Sequence, residues 1–417
     1  MLIKLDVFPS CLKTNFDGSR LVVGFVDGTV RYYDTTRIDE KSEEFLEIWR
    51  FKTKSSLRGV DIDERRGKIY AVTKNRALCV FEMNTGRRIR CILKCHSSIP
   101  MTLCTLPPTA LKSQQLATAD ETGEIKTWNL DAEVPMIREW TEQSQEINDL
   151  KVDCKTNLLA TSSDGTLGAY DLRKAKFKVR SELMHSELFA VCGTNRNVYV
   201  GGEDGYVEVF NLNEYGNLLE RIESGFEMGV NGIVELRNGL LGLTSGGSNR
   251  LRLLNVQPSK RLGVAGCHGD EKDVDDGIDA ITISCDRAVV YTMISFSQTI
   301  KKWDMAAIVD DIPILRAQDA NKKKKRKQEG FFDGMVEKGE DSDEDYSDEE
   351  VEEEEEDEDD ENEEHSGNSD DDEGPQEKRR RIQVEKASDD ENESDNEEDE
   401  NAEEEEENSE NEADCSD

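Results

Sequence analysis

No stretch of the 417 residues approaches the run of about 18 apolar side chains that a membrane-spanning helix requires. The richest segment, 288–296, is short, contains Thr292 and Ser295, and is expected to be a strand. The start, Met1-Leu2-Ile3-Lys4-Leu5-Asp6, has no basic segment followed by an apolar core, so a soluble intracellular protein is expected. The ten cysteines are irregularly spaced and include no Cys-x-x-Cys pair. The nearest approach to a metal site is Cys91, Cys95 and His96, which lacks a second pair of ligands; small buried strand residues are the better account. Histidine, the side chain most suited to proton transfer near neutral pH, occurs only four times. There is no Gly-rich phosphate loop, no Gly-x-Ser-x-Gly, no metal triad and no carboxylate pair at a fixed spacing. The expectation is a protein that is not an enzyme, with no catalytic residue, no metal and no cofactor.

The charge is present but segregated. The net charge is −40, and residues 331–417 carry 46 Asp/Glu against 6 Lys/Arg. The remainder holds 47 of each and is neutral. Only eight of the 81 residues after Val336 are apolar, too few to offset the entropy of ordering them. The sequence therefore predicts a globular body over 1–318, a basic linker over 319–336 and a disordered acidic tail over 337–417. A body above 300 residues is large for one ordinary core and suggests two domains or a repeat.

A repeat is there. One short pattern recurs seven times, ending in the large residues Tyr33, Phe81, Trp128, Tyr170, Phe210, Leu254 and Trp303. Their spacings are 48, 47, 42, 40, 44 and 49 residues. Three positions earlier every copy has Val, Leu or Ile; one position later every copy has Asp, Glu or Asn. An apolar strand precedes each pattern, and Asp27-Gly28, Asp164-Gly165 and Asp204-Gly205 stand between the two as hairpin turns. Four short strands per unit, repeated radially, predict an all-β, seven-bladed propeller. Its repeats end near residues 34, 82, 129, 171, 211, 255 and 304. A strand near residues 2–8 is expected to close the ring, since closure leaves no free edge.

These units resemble the WD-repeat family, whose signature is Gly-His near the start and Trp-Asp near the end of a unit of roughly 40–45 residues. Trp-Asp or Trp-Asn survives only at Trp128-Asn129 and Trp303-Asp304, and both tryptophans are expected to be structural. Gly-His is nowhere intact; His96, His185 and His268 fall near its place. The resemblance implies a His–Asp–Ser/Thr–Trp hydrogen-bond network that is incomplete in most blades, with the second and sixth repeats the softest.

The run Lys322-Lys323-Lys324-Lys325-Arg326-Lys327 is expected to be a nuclear or nucleolar localisation signal, with Lys378-Arg379-Arg380-Arg381 a weaker second. Phe331 and Phe332 form the one apolar island beyond it, either a recognition motif or a tether to the body. Ser342, Ser347, Ser369, Ser388 and Ser394 are each followed by acids, the context favoured by a kinase of the casein kinase two type. So acidic a segment repels nucleic acid and competes with it for basic proteins such as histones or ribosomal proteins.

The order of propeller, basic run, Phe-Phe-Asp-Gly and acidic tail resembles a nucleolar branch of the WD-repeat family with fungal members. The residues that carry this are Leu116-Ala117-Thr118-Ala119-Asp120-Glu121-Thr122-Gly123, Asp164-Gly165-Thr166-Leu167-Gly168, Lys302-Trp303-Asp304-Met305-Ala306 and Val309-Asp310-Asp311. The resemblance implies a non-enzymatic nucleolar scaffold in ribosomal RNA production and large-subunit assembly. Its implied partners are assembly factors and basic proteins, with the chain a monomer inside a larger complex. Two other classes stay open. Tyr170-Asp171-Leu172-Arg173 nearly matches the repeat end that some cullin-ligase substrate receptors use, in which Asp171 and Arg173 would contact the adaptor. A histone- or chromatin-binding propeller would share the nuclear signal and the acidic tail.

Overall fold

The computed structural model describes residues 1–38, 44–108, 114–154, 156–270, 276–310 and 312. Their strands form seven antiparallel sheets of four strands each. The first blade is Pro9–Thr14, Arg20–Phe25, Thr29–Ile38 and Phe45–Lys52, adjacent in space as in sequence. The next five repeat this meander. The seventh blade takes Ala280–Ile283, Val289–Ile294 and Thr299–Asp304 from late in the chain and its fourth strand, Leu2–Lys4, from the beginning. The first strand of every blade touches the first strands of both neighbours, and that of the seventh returns to that of the first. The fold is a closed seven-bladed β-propeller.

Closure rests on three strand pairs, Leu2↔Lys301, Ile3↔Ile300 and Lys4↔Thr299. The Leu5 amide adds a 2.7 Å bond to the Gln298 carbonyl. The strand is shorter than the expected 2–8 segment because Asp6 leaves the ladder to meet the Arg31 guanidinium at 2.7 Å.

Side chains alternate between the two faces of a strand, so residues three apart face opposite ways. That parity accounts for the recurring pattern. In every blade the aliphatic residue (Val30, Leu78, Ile125, Leu167, Val207, Leu251, Ile300) packs into the cluster shared with the following blade. The large residue three positions later packs into the cluster shared with the preceding blade. The core is thus seven inter-blade clusters, and each third strand clamps its blade to both neighbours. Both faces of the inner strands are covered, which is why the strand Arg20–Phe25 reads as an unbroken apolar run from Leu21 onward.

The acid or amide after the large residue serves the next turn. Asp171 Oδ1 accepts the amides of Arg173 (2.9 Å) and Lys174 (3.1 Å), and Asn129 Oδ1 accepts that of Asp131 (3.1 Å). The Asp-Gly turns need a left-handed residue at the second position, and Gly205 supplies it at φ +79°. A single short helix, Met305–Asp310, follows the last strand among the described residues. Arg237 Nη1 donates to the Val309 (3.1 Å) and Ile312 (3.0 Å) carbonyls beside it.

Candidate functional site

The histidines are the first place to look for chemistry. His96 is fully buried between the second and third blades. Its Nδ1 lies 2.8 Å from Glu124 Oε2 and its Nε2 2.6 Å from Thr118 Oγ1, which in turn accepts Trp128 Nε1–H at 2.7 Å. Asp120 stands 3.5 Å from Nδ1. Burial alone would raise the Asp120 carboxyl, yet the nearby His96 ring and the hydrogen bonds donated by Thr122 hold it down at about 2. The donor atoms of His96, Asp120 and Glu124 lie within 4.8 Å of one another, a spacing a cation could bridge. Lys126 already sets its ammonium 2.8 Å from Glu124, so a metal ion would meet a cation there. The cluster joins strand to strand.

Cys91 and Cys95 do not join it. Cys91 faces the first blade, with its sulfur 3.6 Å from Cys79, whereas Cys95 faces the third. The seventh blade repeats the histidine network without an acid. His268 Nδ1 meets Thr292 Oγ1 at 2.7 Å, its Nε2 meets Thr299 Oγ1 at 3.0 Å, and Trp303 Nε1 donates to Thr292 at 2.8 Å. Burial, then the nearby Lys301, push His268 down to about 3, so it stays neutral at physiological pH. In the fourth blade Gln143 replaces the histidine, bonding the Thr166 carbonyl at 3.0 Å and accepting the Tyr170 hydroxyl at 3.3 Å. His185 is exposed, while its neighbour Met184 fills the interior.

The central channel encloses about 840 Å³ and is lined by the first strands of all seven blades. Its charges are largely paired within the wall: Lys13 with Asp61 at 3.5 Å, Lys151 with Asp149 at 3.5 Å, and Glu235 with Arg287. Asp149 keeps Lys151 cationic by raising its pKa against the effect of burial. Burial pushes the channel thiols Cys11 and Cys192 up to about 12, so they stay protonated and are poor nucleophiles. The channel offers ion pairs and hydrogen bonds rather than a group poised to move a proton.

The rim is more distinctive. Loops that enter first strands and turns that link second to third strands lie at the same end of each blade, because successive strands are antiparallel. That face carries Phe8, Val26, Leu183, Met228 and Phe296, the last 85% exposed. Exposed large apolar groups on this face offer a surface for contact.

The remaining sequence-predicted residues are placed as follows. Trp128 and Trp303 are buried. Arg173 extends from the end of the fourth blade's third strand, its side chain 65% exposed and 3.9 Å from Asp171. Lys322, Lys323, Lys324, Lys325, Arg326, Lys327, Phe331, Phe332, Ser342, Ser347, Ser369, Ser388, Ser394 and the 378–381 run lie outside the described residues. Sequence reasoning missed Gln143, Thr118, Glu124 and Thr292. Thr118 and Thr292 stand ten and eleven residues before a tryptophan, and that offset was the available signal. Among the described residues no helix is long and apolar enough to cross a membrane.

Seven blades, inter-blade His–Thr–Trp bonding and a ring closed by the N-terminal strand define a seven-bladed β-propeller whose units resemble WD repeats, and WD-repeat propellers generally mediate protein–protein contacts. No family model matches the chain. It is similar to WD repeat-containing protein 55 of Pongo abelii, 28% identical over 336 residues that cover 77% of this chain and 83% of that protein. The human protein of the same name is 27% identical over 334 residues, with the same coverage. WD repeat-containing protein JIP5 of the fungus Laccaria bicolor is 27% identical over 269 residues, 59% of this chain and 63% of that protein.

Proposed function

We propose that this protein is a non-enzymatic scaffold of the nucleolus that assembles with precursors of the large ribosomal subunit. The observation that carries the reading is similarity to WD repeat-containing protein 55 across most of both chains. The features that suggested a nucleolar branch from sequence, above all the 322–327 basic run beside an acidic segment, supply the address. Partner proteins bind the face bearing Phe8, Val26, Met228 and Phe296, where exposed apolar area is available. The acidic segment attracts basic assembly partners such as ribosomal proteins, and phosphorylation of its serines strengthens that attraction. Depletion should cause unprocessed ribosomal RNA to accumulate, read by hybridisation to precursor spacers. Unchanged precursor levels would overturn the reading and favour a cullin-ligase receptor acting through Arg173, which lies exposed at the matching motif.

A further inference from the structure

The flank between the fifth and sixth blades holds a cation with no counter-ion among the described residues. Arg252, in the third strand of the sixth blade (Ser248–Val256), is partly buried. Its Nε is buried without a hydrogen-bond partner, and its guanidinium lies over the Phe226 ring at 4.7 Å. Among the described residues no carboxylate is ion-paired with Arg252 or with Arg250, two positions away on the same strand face. Other covered arginines differ: Arg31, Arg66, Arg221 and Arg287 each have an acid in contact, and Arg90 and Arg237 donate to backbone carbonyls. A guanidinium taken partly out of water without an anion is costly to hold.

A second guanidinium converges on the same point. Arg261, in the outermost strand Ser259–Cys267, approaches from the rim, and both groups close over Gly225. A Cβ at that position would sit 2.7 Å from Arg252 Nη1 and 3.2 Å from Arg261 Nη1, and Gly225 adopts φ +86°. Arg261 keeps one exposed acid, Glu223, at 3.2 Å. Desolvation first, then the fields of Arg250 and Arg261, lower the proton affinity of Arg252, as expected where positive charge gathers without negative charge.

We propose that Arg252 and Arg261, backed by Arg250, form a binding site for an oxyanion carried on an acidic peptide, a glutamate or phosphoserine side chain of a partner protein. Two planar forks match the paired oxygens of either group. A peptide fits better than nucleic acid on three counts. The globular body over 1–318 holds 41 Lys/Arg against 45 Asp/Glu, so it lacks the positive excess that nucleic-acid binding uses. The rim carries Glu223, which repels a continuing phosphate backbone. Exposed Val264, paired with Arg252 in the ladder, offers apolar contact to a flanking side chain. The site goes beyond the ribosome-assembly reading and does not depend on it.

The test uses the full chain and fluorescein-labelled dodecapeptides of Glu and Ser, with and without two phosphoserines, followed by fluorescence anisotropy. Wild type should bind at least one of them, and the stronger binder identifies the oxyanion. Arg252→Gln should weaken binding by about tenfold or more, as loss of a charge-assisted fork implies, and Arg252→Lys should recover only part of it. Arg261→Gln, at an exposed position, tests the same site without disturbing the interior. Arg173→Gln, elsewhere on the ring, should change nothing. The proposal is overturned if neither peptide binds wild type. It is equally overturned if both Arg252→Gln and Arg261→Gln bind as wild type does, or if a single-stranded RNA 12-mer binds more tightly than both peptides and loses affinity in Arg252→Gln.

Discussion

Removing residues 1–5 should open the ring. Ile3 and Leu5 are 2% and 5% exposed and pack with Leu21, Phe25, Tyr291 and Ile300 between the seventh and first blades. Fully burying each such side chain is worth about 1.5–3 kcal/mol, so the pair contributes about 3–6 kcal/mol. The deletion also removes the ladder to residues 299–301 and the Leu5–Gln298 bond. A domain has only about 5–15 kcal/mol of net stability, so the loss is a large share of the whole. At about 2 °C per kcal/mol for a body of this size, the melting temperature should fall by about 6–12 °C. Point variants separate burial from chain length: Ile3→Ala should cost about 2–5 kcal/mol, and Leu2→Ala, on the exposed face of the same strand, about 0.5 kcal/mol or less. Urea unfolding and differential scanning fluorimetry read both. If the deletion and Ile3→Ala each left stability unchanged, the ring would not be closed by this strand.

Other outcomes follow from the same structure. Trp303→Ala should cost about 3–5 kcal/mol in urea unfolding, because it empties the cluster shared with Val234, Leu251 and Val290 and removes the bond to Thr292. Trp303→Phe should cost less, since the ring is retained. His268 stays neutral in the fold, while in the unfolded chain it titrates near pH 6.5, so the unfolded state takes up the extra proton. Its contribution to stability is therefore intact above about pH 6.5 and lost progressively as pH falls toward 3; the stability difference between pH 7 and 4.5 should shrink in His268→Gln. Replacing the six cations of 322–327 by Gln should leave the melting temperature unchanged and move a fluorescent fusion from nucleolus to cytoplasm; a fusion still nuclear with both basic runs removed would show that import rides on a partner.

Much of the fold was legible because its signal is local and repeated. An aliphatic residue and a large residue three apart, in seven copies, can only face two different neighbours, and a ring is the arrangement in which every blade has two. Val30 with Tyr33 and Leu251 with Leu254 state this as plainly as Ile125 with Trp128, where the tryptophan is kept. The extent of the closing strand was less legible, because the salt bridge that draws Asp6 away involves Arg31, which is distant in sequence. Cys91 and Cys95, better read from the sequence as small buried strand residues than as metal ligands, stand four apart yet face opposite blades across the turn between them. Gln143 escaped notice because it does the work of a histidine with different atoms. Arg252 looks like any polar residue in an alternating strand; what sets it apart is that no acid among the described residues pairs with it, a property of the packed blades alone.

The most direct test of the scaffold account is sedimentation. Nuclear extract from cells expressing the tagged full chain would be resolved on a sucrose gradient, with fractions probed for the protein and for precursor ribosomal RNA. The account predicts that the protein travels with large-subunit precursors and returns to the light fractions when Phe8, Met228 and Phe296 on the apolar face are replaced together by Ser in a protein that still melts as wild type does. A protein that sediments instead with nucleosomes or with cullin complexes, or that stays with the precursors despite the triple substitution, would contradict it.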